Sequence, residues 1–326
     1  VCKLALIATD KNGVLKIRLI LDCRVSGSNS RAKRRERVLL PKAWDAIRDT
    51  LHFLSIKQRN EVVRYLVLDY KDAFFKLPLR DEELKYFVAS YGDAYYVWGR
   101  TPQGSINGPK VFGRLAALTA RMTQSLEDHE RMRLQLFVDD PLAVIRATRA
   151  AADRITAKVV LLWLVLGFAL SWHKGNYGDS ITWIGTQLQY DDESVTASLK
   201  EEFMQELKDM TAKMSRSNLI SRKVLATYAG KCNHVTNILF SWNPFLESLW
   251  GALYSSKPSQ APRRMIWRSQ IQVALDWIRS FLNGTAGSLS RTWRVSAYLN
   301  ADDLIVLTLD ASPWGLGGVL QVGGII

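Results

Sequence analysis

The chain has 326 residues, 48% hydrophobic and 23% charged, a globular balance long enough for a substantial core and two or three structural units. Lys and Arg outnumber Asp and Glu by 44 to 31, and the net charge of +13 points to a polyanionic partner, nucleic acid or an anionic membrane surface. The membrane reading is the weaker one: the most apolar stretch, VVLLWLVLGFALSW (159–172), is bracketed by Lys158 and Lys174 and falls short of the roughly 18 to 20 residues of a span.

Cys2, Cys23 and Cys232 are scattered and odd in number, with no disulfide framework and no zinc spacing, which suits a reducing intracellular compartment, cytoplasm or nucleus. The chain starts at Val1 with neither Met nor a signal-peptide pattern and stops at LQVGGII in a strand-like run. It is expected to be a piece of a longer polypeptide.

In chain order, an apolar strand from Lys3 reaches the Asn12-Gly13 turn signal and returns as the alternating strand VLKIRLILD, a hairpin. The basic loop SRAKRRER (30–37) precedes a helix from about Lys42 to Leu54. EVVRYLVLDYKDAFFKLPL reads as a strand entering a turn and short helix, and KYFVASYGDAYYVWGRTPQG as a second hairpin turning at Gly92-Asp93. A long helix begins at Pro109, a strand–acid pair–strand unit is centred on Asp139-Asp140, and a buried helix runs from Ala150 to Leu166. SITWIGTQLQY is expected to be one strand and TASLKEEFMQELKDMTAKM helical. The stretch from about Ser221 to Leu282 is mostly helical and Trp-rich, and LIVLTLDASPWGLGGVLQV returns to strand. This alternation predicts an α/β or α+β fold with a helical subdomain behind it.

Read alone, an acid pair at a tight turn is a solvated turn, and Asp191-Asp192 and Asp302-Asp303, beside polar neighbours, fit that reading. Asp139-Asp140 differs because apolar runs abut it on both sides, with Asp139 expected on the strand face of Gln135 and Phe137. Pro141, directly after the pair, removes a backbone donor and predicts a bulged or edge strand. Asp69 ends a second apolar strand, with Asp72 three residues on as the better candidate for a helix cap. If the two strands are neighbours, Asp69 and Asp139 meet at one end of a sheet. Carboxylates gathered there repel one another unless cations neutralise them, and hard divalent ions with oxygen ligands are the natural partner.

LVLDYKDAFF, TPQGSINGPKVF and LQLFVDDPLAV, in this order and at these separations, resemble motifs A, B and C of a reverse transcriptase palm. DKNGVLKIRLILDCRVSGSN resembles the basic fingers segment before them, and LSWHKGNYGDSITWIGTQL resembles motif D and the primer grip after them. The nearest likeness is to polymerases of retroviruses and related retroelements. The resemblance implies a right-hand polymerase: fingers over 1–64, palm over 65–190 with a fingers insertion at about 77–102, helical thumb and connection over 191–298, and an incomplete RNase H-like start over 299–326.

It implies RNA-directed DNA polymerase activity, with two Mg²⁺ ions (or Mn²⁺), dNTPs, and an RNA or DNA template with primer. Asp69, Asp139 and Asp140 match the metal-binding acids, and Lys174 the motif D lysine, a candidate proton donor to pyrophosphate. Phe74 falls at the sugar gate, where its ring would clash with a 2′-hydroxyl; Gln103 and Gly104 match the motif B pair beside the nascent base pair. Lys11, Lys16 and Arg18 match the basic fingers, and Trp183 and Gly185 the primer grip. Each has a plainer alternative: core aromatics at Phe74 and Trp183, a solvated basic strand at Lys16, a loop lysine at Lys174. Trp242, Phe245 and Trp250 are at helical spacing and are expected in the core. Asp310 matches the first acid of an RNase H domain, whose further acids are absent, so no RNase H activity is expected. The competing function is a degenerate or truncated polymerase fold that only binds nucleic acid. An RNA-directed RNA polymerase is disfavoured by Phe74 and the RNase H-like start, and a nuclease built on Asp310 alone is disfavoured too.

Overall fold

A computed structural model describes residues 1–11, 14–32, 38–255, 261–313 and 315–323. The chain divides into two compact units, residues 1–42 with 60–184 and residues 43–59 with 185–326.

In the first unit, β1 (Lys3–Lys11) and β2 (Val14–Asp22) form an antiparallel ribbon, and β3 (Val62–Val67) leads into the short β4 (Tyr70–Lys71). β5 (Val88–Tyr91) and β6 (Ala94–Val97) make the hairpin expected at Gly92-Asp93. β7 (Met132–Phe137) and β8 (Asp140–Ala147) make another, and β9 (Ala169–Leu170), β10 (Asn176–Gly178) and β11 (Ser180–Trp183) follow. The central sheet is antiparallel in the order β10-β3-β8-β7, so β3 and β8 are neighbours. Leu142, Ala143, Val144 and Ile145 in β8 are all fully buried, which explains why that strand reads as a continuous apolar run rather than an alternating one.

The helices Gly108–Gln124 and Arg149–Val165 supply Phe112, Ala116, Ile155, Val159 and Trp163 to a core shared with Ala143 and Ile145. Trp163 donates its indole N–H to Thr123 Oγ1 at 2.9 Å, so the ring is buried without stranding its polar atom. Leu161, Leu164 and Val165 lie exposed on the same helix, which is therefore buried on one face and not throughout. Among the described residues no helix is long and apolar enough to cross a membrane.

In the second unit, β12 (Thr186–Tyr190), β13 (Ser194–Leu199) and, after β14 (Leu219–Ser221) and β15 (Met265–Trp267), β16 (Arg291–Arg294) form antiparallel pairs in the order β12-β13-β16. The helix Ala43–Ile56 packs on β12 and β13 through a stripe including Ala43, Ala46, Ile47, Leu51 and Leu54, and Trp44 meets Trp293 at 5.6 Å. The segment 1–64 expected as one fingers region is thus divided, because this helix buries its apolar face in the other unit. Helices Glu201–Ser215, Arg222–Val235, Asn243–Tyr254 and Gln272–Leu282 pack together, with Trp242 fully buried and Phe245 stacked on Trp277 at 3.7 Å. The last elements are β17 (Ile305–Ser312) and β18 (Gly315–Val322), a hairpin whose first strand is exposed along its length.

Three expectations are corrected. SITWIGTQLQY is not one strand: it breaks at Ile184-Gly185, both at positive φ (42° and 79°), and a Cβ on Gly185 would lie 2.4 Å from His234 Nε2. The run TASL is the end of β13, paired with β12 and β16, and the helix starts only at Glu201. Pro141 lies neither at a bulge nor on an edge, since β8 sits between β3 and β7 with unbroken register. A two-residue turn makes Phe137↔Asp140 the hydrogen-bonded closing pair, so Leu136↔Pro141 is a non-hydrogen-bonded pair and needs no proline N–H. On the other side, Pro141 O accepts from Leu68 N at 3.4 Å, past the last paired residue of β3, so the missing donor falls where the ladder ends.

Candidate active site

The β7–β8 hairpin turns on Val138-Asp139, so Asp139 is a turn residue and does not lie on the Gln135 and Phe137 strand face. Val138 has φ 57°, a costly conformation for a β-branched residue that lets a tight two-residue turn present Asp139 at the sheet's end. Beside it the chain leaves β3: Tyr70 N–H donates to Asp139 O at 2.9 Å, and Ser171 N–H to Asp69 O at 2.9 Å. These backbone bonds help hold Asp69 and Asp139 at the same end of the sheet. Tyr70 is locked beneath them, stacked on Phe168 at 4.3 Å. Asp72 occupies the cap position of the 3₁₀ turn Ala73–Lys76 but makes no side-chain cap hydrogen bond, so it is not the cap its spacing suggested.

Asp69 and Asp139 line one cleft of about 990 Å³ together with Arg18, Phe74, Gln103, Gly104 and Lys174. Lys174 donates to Asp69 Oδ2 at 2.6 Å. Asp140 is not among the cleft-lining residues: it begins β8, its carboxylate accepts from Ile184 N–H, and its carbonyl accepts from the Trp183 indole at 3.0 Å. Burial first, then the negative charges of Asp69 and Asp139, push the Asp140 carboxyl up to about 7. Burial likewise raises Asp139, with Asp69 adding to it and Lys174 opposing it.

Phe74 is half-buried, packed on Phe112 at 5.5 Å while also lining the cleft. Gly104 has φ 115°, and a Cβ there would lie 2.1 Å from Leu21 O; only glycine fits. Trp183 is fully buried, as its core alternative expects, and its indole N–H donates to Asp140 O. Gly185 is exposed in its turn, where His234, its own pKa lowered by burial, hydrogen-bonds the Gly185 backbone. Asp310 sits on β17 opposite Gly317, its carboxylate bonded to the next amide, Ala311 N–H, at 2.8 Å. The side chains of Lys11 and Lys16, the turn Asn12-Gly13 and the run Lys33–Arg37 lie outside the described residues. Asn29 was not legible as a site residue: it sits in a Gly/Ser turn, and only the fold shows its amide bonded to the 103–106 loop.

A profile described as "Reverse transcriptase (RNA-dependent DNA polymerase)" matches residues 11–188, more than half of the chain and the whole of this cleft. The chain belongs to the reverse transcriptase family. The reverse transcriptase match stops short of Asp310. Over 148 residues the chain is 28% identical to the Gag-Pol polyprotein of avian reticuloendotheliosis virus, covering 43% of this chain and 13% of that protein. Among solved structures it resembles a foamy viral protease-reverse transcriptase, dRH, in complex with double-stranded DNA, with TM-score 0.59, 18% identity, and 99% and 50% of the two chains covered. It also resembles a foamy viral protease-reverse transcriptase in complex with an RNA/DNA hybrid, with TM-score 0.55, 17% identity, and 86% and 33% covered. These likenesses establish the mixed helix-and-sheet fold of reverse transcriptase polymerase domains, and this chain spans about half or less of each of these relatives.

Reverse transcriptases as a family depend on divalent metal ions. Among the described residues no group of three or more His, Cys, Asp or Glu forms an ion cage. The donor set nonetheless fits a hard divalent ion, since Mg²⁺ typically takes one or two carboxylates and completes its shell with water and substrate phosphate. Asp69 and Asp139 face one cleft, and the carboxyl of Asp139 is raised first by burial and further by the charge of Asp69.

Proposed function

We propose that this reverse transcriptase domain is an RNA-directed DNA polymerase that extends a primer with dNTPs by in-line nucleotidyl transfer, as part of a Gag-Pol-like polyprotein. The observation that carries the reading is the meeting of Asp69 and Asp139 in a cleft whose other lining includes Phe74, Gln103, Gly104 and Arg18.

In this reading Asp69 and Asp139 hold two Mg²⁺ ions, with Mn²⁺ as a substitute, and Asp140 supports them from behind. Bound there, the ions would lower the pKa of the attacking hydroxyl and stabilise the leaving oxygen. The rest falls to the chain's own groups. The primer 3′-hydroxyl releases its proton to solvent as its oxygen attacks the α-phosphorus, a P–O bond forms, and the bond to pyrophosphate breaks. Lys174, half-exposed beside Asp69, gives its proton to the departing pyrophosphate. Phe74 fills the space a 2′-hydroxyl would need. Arg18, exposed in the cleft, meets phosphate charge, with Lys11 and Lys16 assigned the same role. The foamy viral relatives' complexes with double-stranded DNA and RNA/DNA hybrid, with the net charge of +13, support a template–primer partner.

The test is dNTP incorporation on an RNA template with a DNA primer, in Mg²⁺ or Mn²⁺, beside Asp139→Asn. The wild type incorporates; the variant loses incorporation and keeps primer–template affinity. Wild-type binding without incorporation would replace this reading with that of a binding-only module.

A further inference from the structure

We infer that Asn29 is a positioning residue for dNTP binding, its side-chain amide clamping the 103–106 loop, whose Gln103, Gly104 and Ser105 line the cleft; this rests on the polymerase reading above. Asn29 Nδ2 donates to Gly104 O at 2.9 Å, and its Oδ1 accepts from Ile106 N–H at 3.0 Å. Only one orientation of the amide satisfies both, so the side chain reads the loop as a donor–acceptor pair. Leu21 N–H donates to Gln103 O at 2.9 Å and fixes the loop's other end to β2. Without Asn29, Gly104 O and Ile106 N–H lose those partners, and among the described residues the Leu21 bond remains to tie the loop to β2.

The clamp is itself held. Asn29 N–H donates to Cys23 O at 3.2 Å, Ser28 Oγ to Tyr86 O at 3.1 Å, and Gly27, at φ 73°, lets the turn reverse tightly enough to aim Asn29 at the loop. Gly104 cannot drift toward β2, since its own Cβ position is already taken by Leu21 O. At the loop's far end Gly108 lies against the Phe74 ring, 3.5 Å from its Cδ1 at the Cβ position. Asn29 therefore sets where Gln103 and Gly104 stand relative to Phe74 without lining the cleft itself.

The experiment compares wild type, Asn29→Ala and Asn29→Asp in single-nucleotide addition, with primer–template affinity and amide hydrogen exchange of the 103–106 segment measured on the same proteins. Asn29→Ala should raise the dNTP KM roughly tenfold, the scale of two lost hydrogen bonds, with kcat within about threefold and primer–template Kd within about twofold. Asn29→Asp keeps an acceptor for Ile106 N–H but sets a carboxylate oxygen against Gly104 O, so it loses that donor and adds repulsion, and its KM should also rise. Exchange at Ile106 should quicken in Asn29→Ala and less in Asn29→Asp. An unchanged KM in Asn29→Ala, or KM and primer–template Kd rising in proportion, would overturn the proposal. Should Asn29→Ala not fold, Asn29→Asp decides alone: a raised KM with unchanged Kd supports the clamp, and wild-type KM ends it. If the wild type incorporates nothing, the polymerase reading fails first, and unchanged exchange at Ile106 would then remove the clamp as well.

Discussion

Asp140→Asn replaces a carboxyl held at about 7 by an isosteric amide that does not titrate. The amide oxygen still accepts from Ile184 N–H, and the Trp183 bond goes to the Asp140 carbonyl, so both hydrogen bonds survive. What changes is the charge. A carboxyl raised from 3.8 to about 7 is worth at most ~4 kcal/mol between its protonation states, at about 1.4 kcal/mol per pH unit. Residual exposure and relaxation of Asp139 and Asp69 bring the expected effect to about 1–2 kcal/mol. The sign follows from proton binding. Between pH 3.8 and 7 the native Asp140 is protonated while the unfolded one is ionised, so the native state binds more protons and wild-type stability falls as pH rises. Above 7 both states are ionised and the full penalty is in place; below 3.8 it is gone.

The assay is urea unfolding of both proteins at pH 4.5 and pH 8 with EDTA present, read as the difference between them so that other titrating groups cancel. The variant should gain about 1–2 kcal/mol on the wild type between the lower and the higher pH. Adding Mg²⁺ should stabilise the wild type more at pH 8 than at pH 4.5, where protons compete for the same oxygens. A difference that does not vary with pH, or that shrinks as pH rises, would refute the claim that burial and the charges of Asp69 and Asp139 raise the Asp140 carboxyl.

Phe74→Ala should relax exclusion of ribonucleotides, read as the ratio of rNTP to dNTP incorporation; an unchanged ratio would make Phe74 a core residue only. Gly104→Ala must displace either the loop or Leu21 O, and should cost about 2–4 kcal/mol from backbone strain and lost loop hydrogen bonds, measured as a drop in urea midpoint. A loss under about 0.5 kcal/mol would mean that the loop has room the structure does not show. Trp183→Phe removes the donor to Asp140 O while keeping an aromatic ring, and should destabilise by about 1–3 kcal/mol, again by urea unfolding. Stability equal to wild type would show that the indole hydrogen bond does not hold the acid hairpin.

Much of the first unit could be read from residue order, because its signals are local. Apolar runs interrupted by Asp69 and by Asp139-Asp140, Gly92-Asp93 between alternating strands, and Pro109 opening a helix each specify geometry within a few neighbours. Period failed where tertiary contacts decide. TASL carries a weak strand pattern beside a strong helical one, and becomes strand because β12 and β16 pair with it on both sides. The break at Ile184-Gly185 was hidden by apolar, β-branched neighbours that all favour extended chain. The helix Ala43–Ile56 was legible as a helix, yet nothing in its own periodicity says which unit its stripe covers.

The acids show the same division at finer scale. Their residue types reveal that negative charge gathers at a sheet's end, and adjacency suggests that Asp139 and Asp140 act alike. The turn separates them. With Val138 and Asp139 as the two turn residues, Asp139 projects into the cleft with Asp69, while Asp140 starts the returning strand and is drawn under Trp183 and Ile184. One faces the cleft, beside Lys174 on Asp69; the other is buried far enough to hold its proton near neutrality. Two identical side chains one residue apart thus receive different surroundings, although burial raises both carboxyls, and the turn that separates them closes through Val138 at φ 57°, an angle its residue type disfavours.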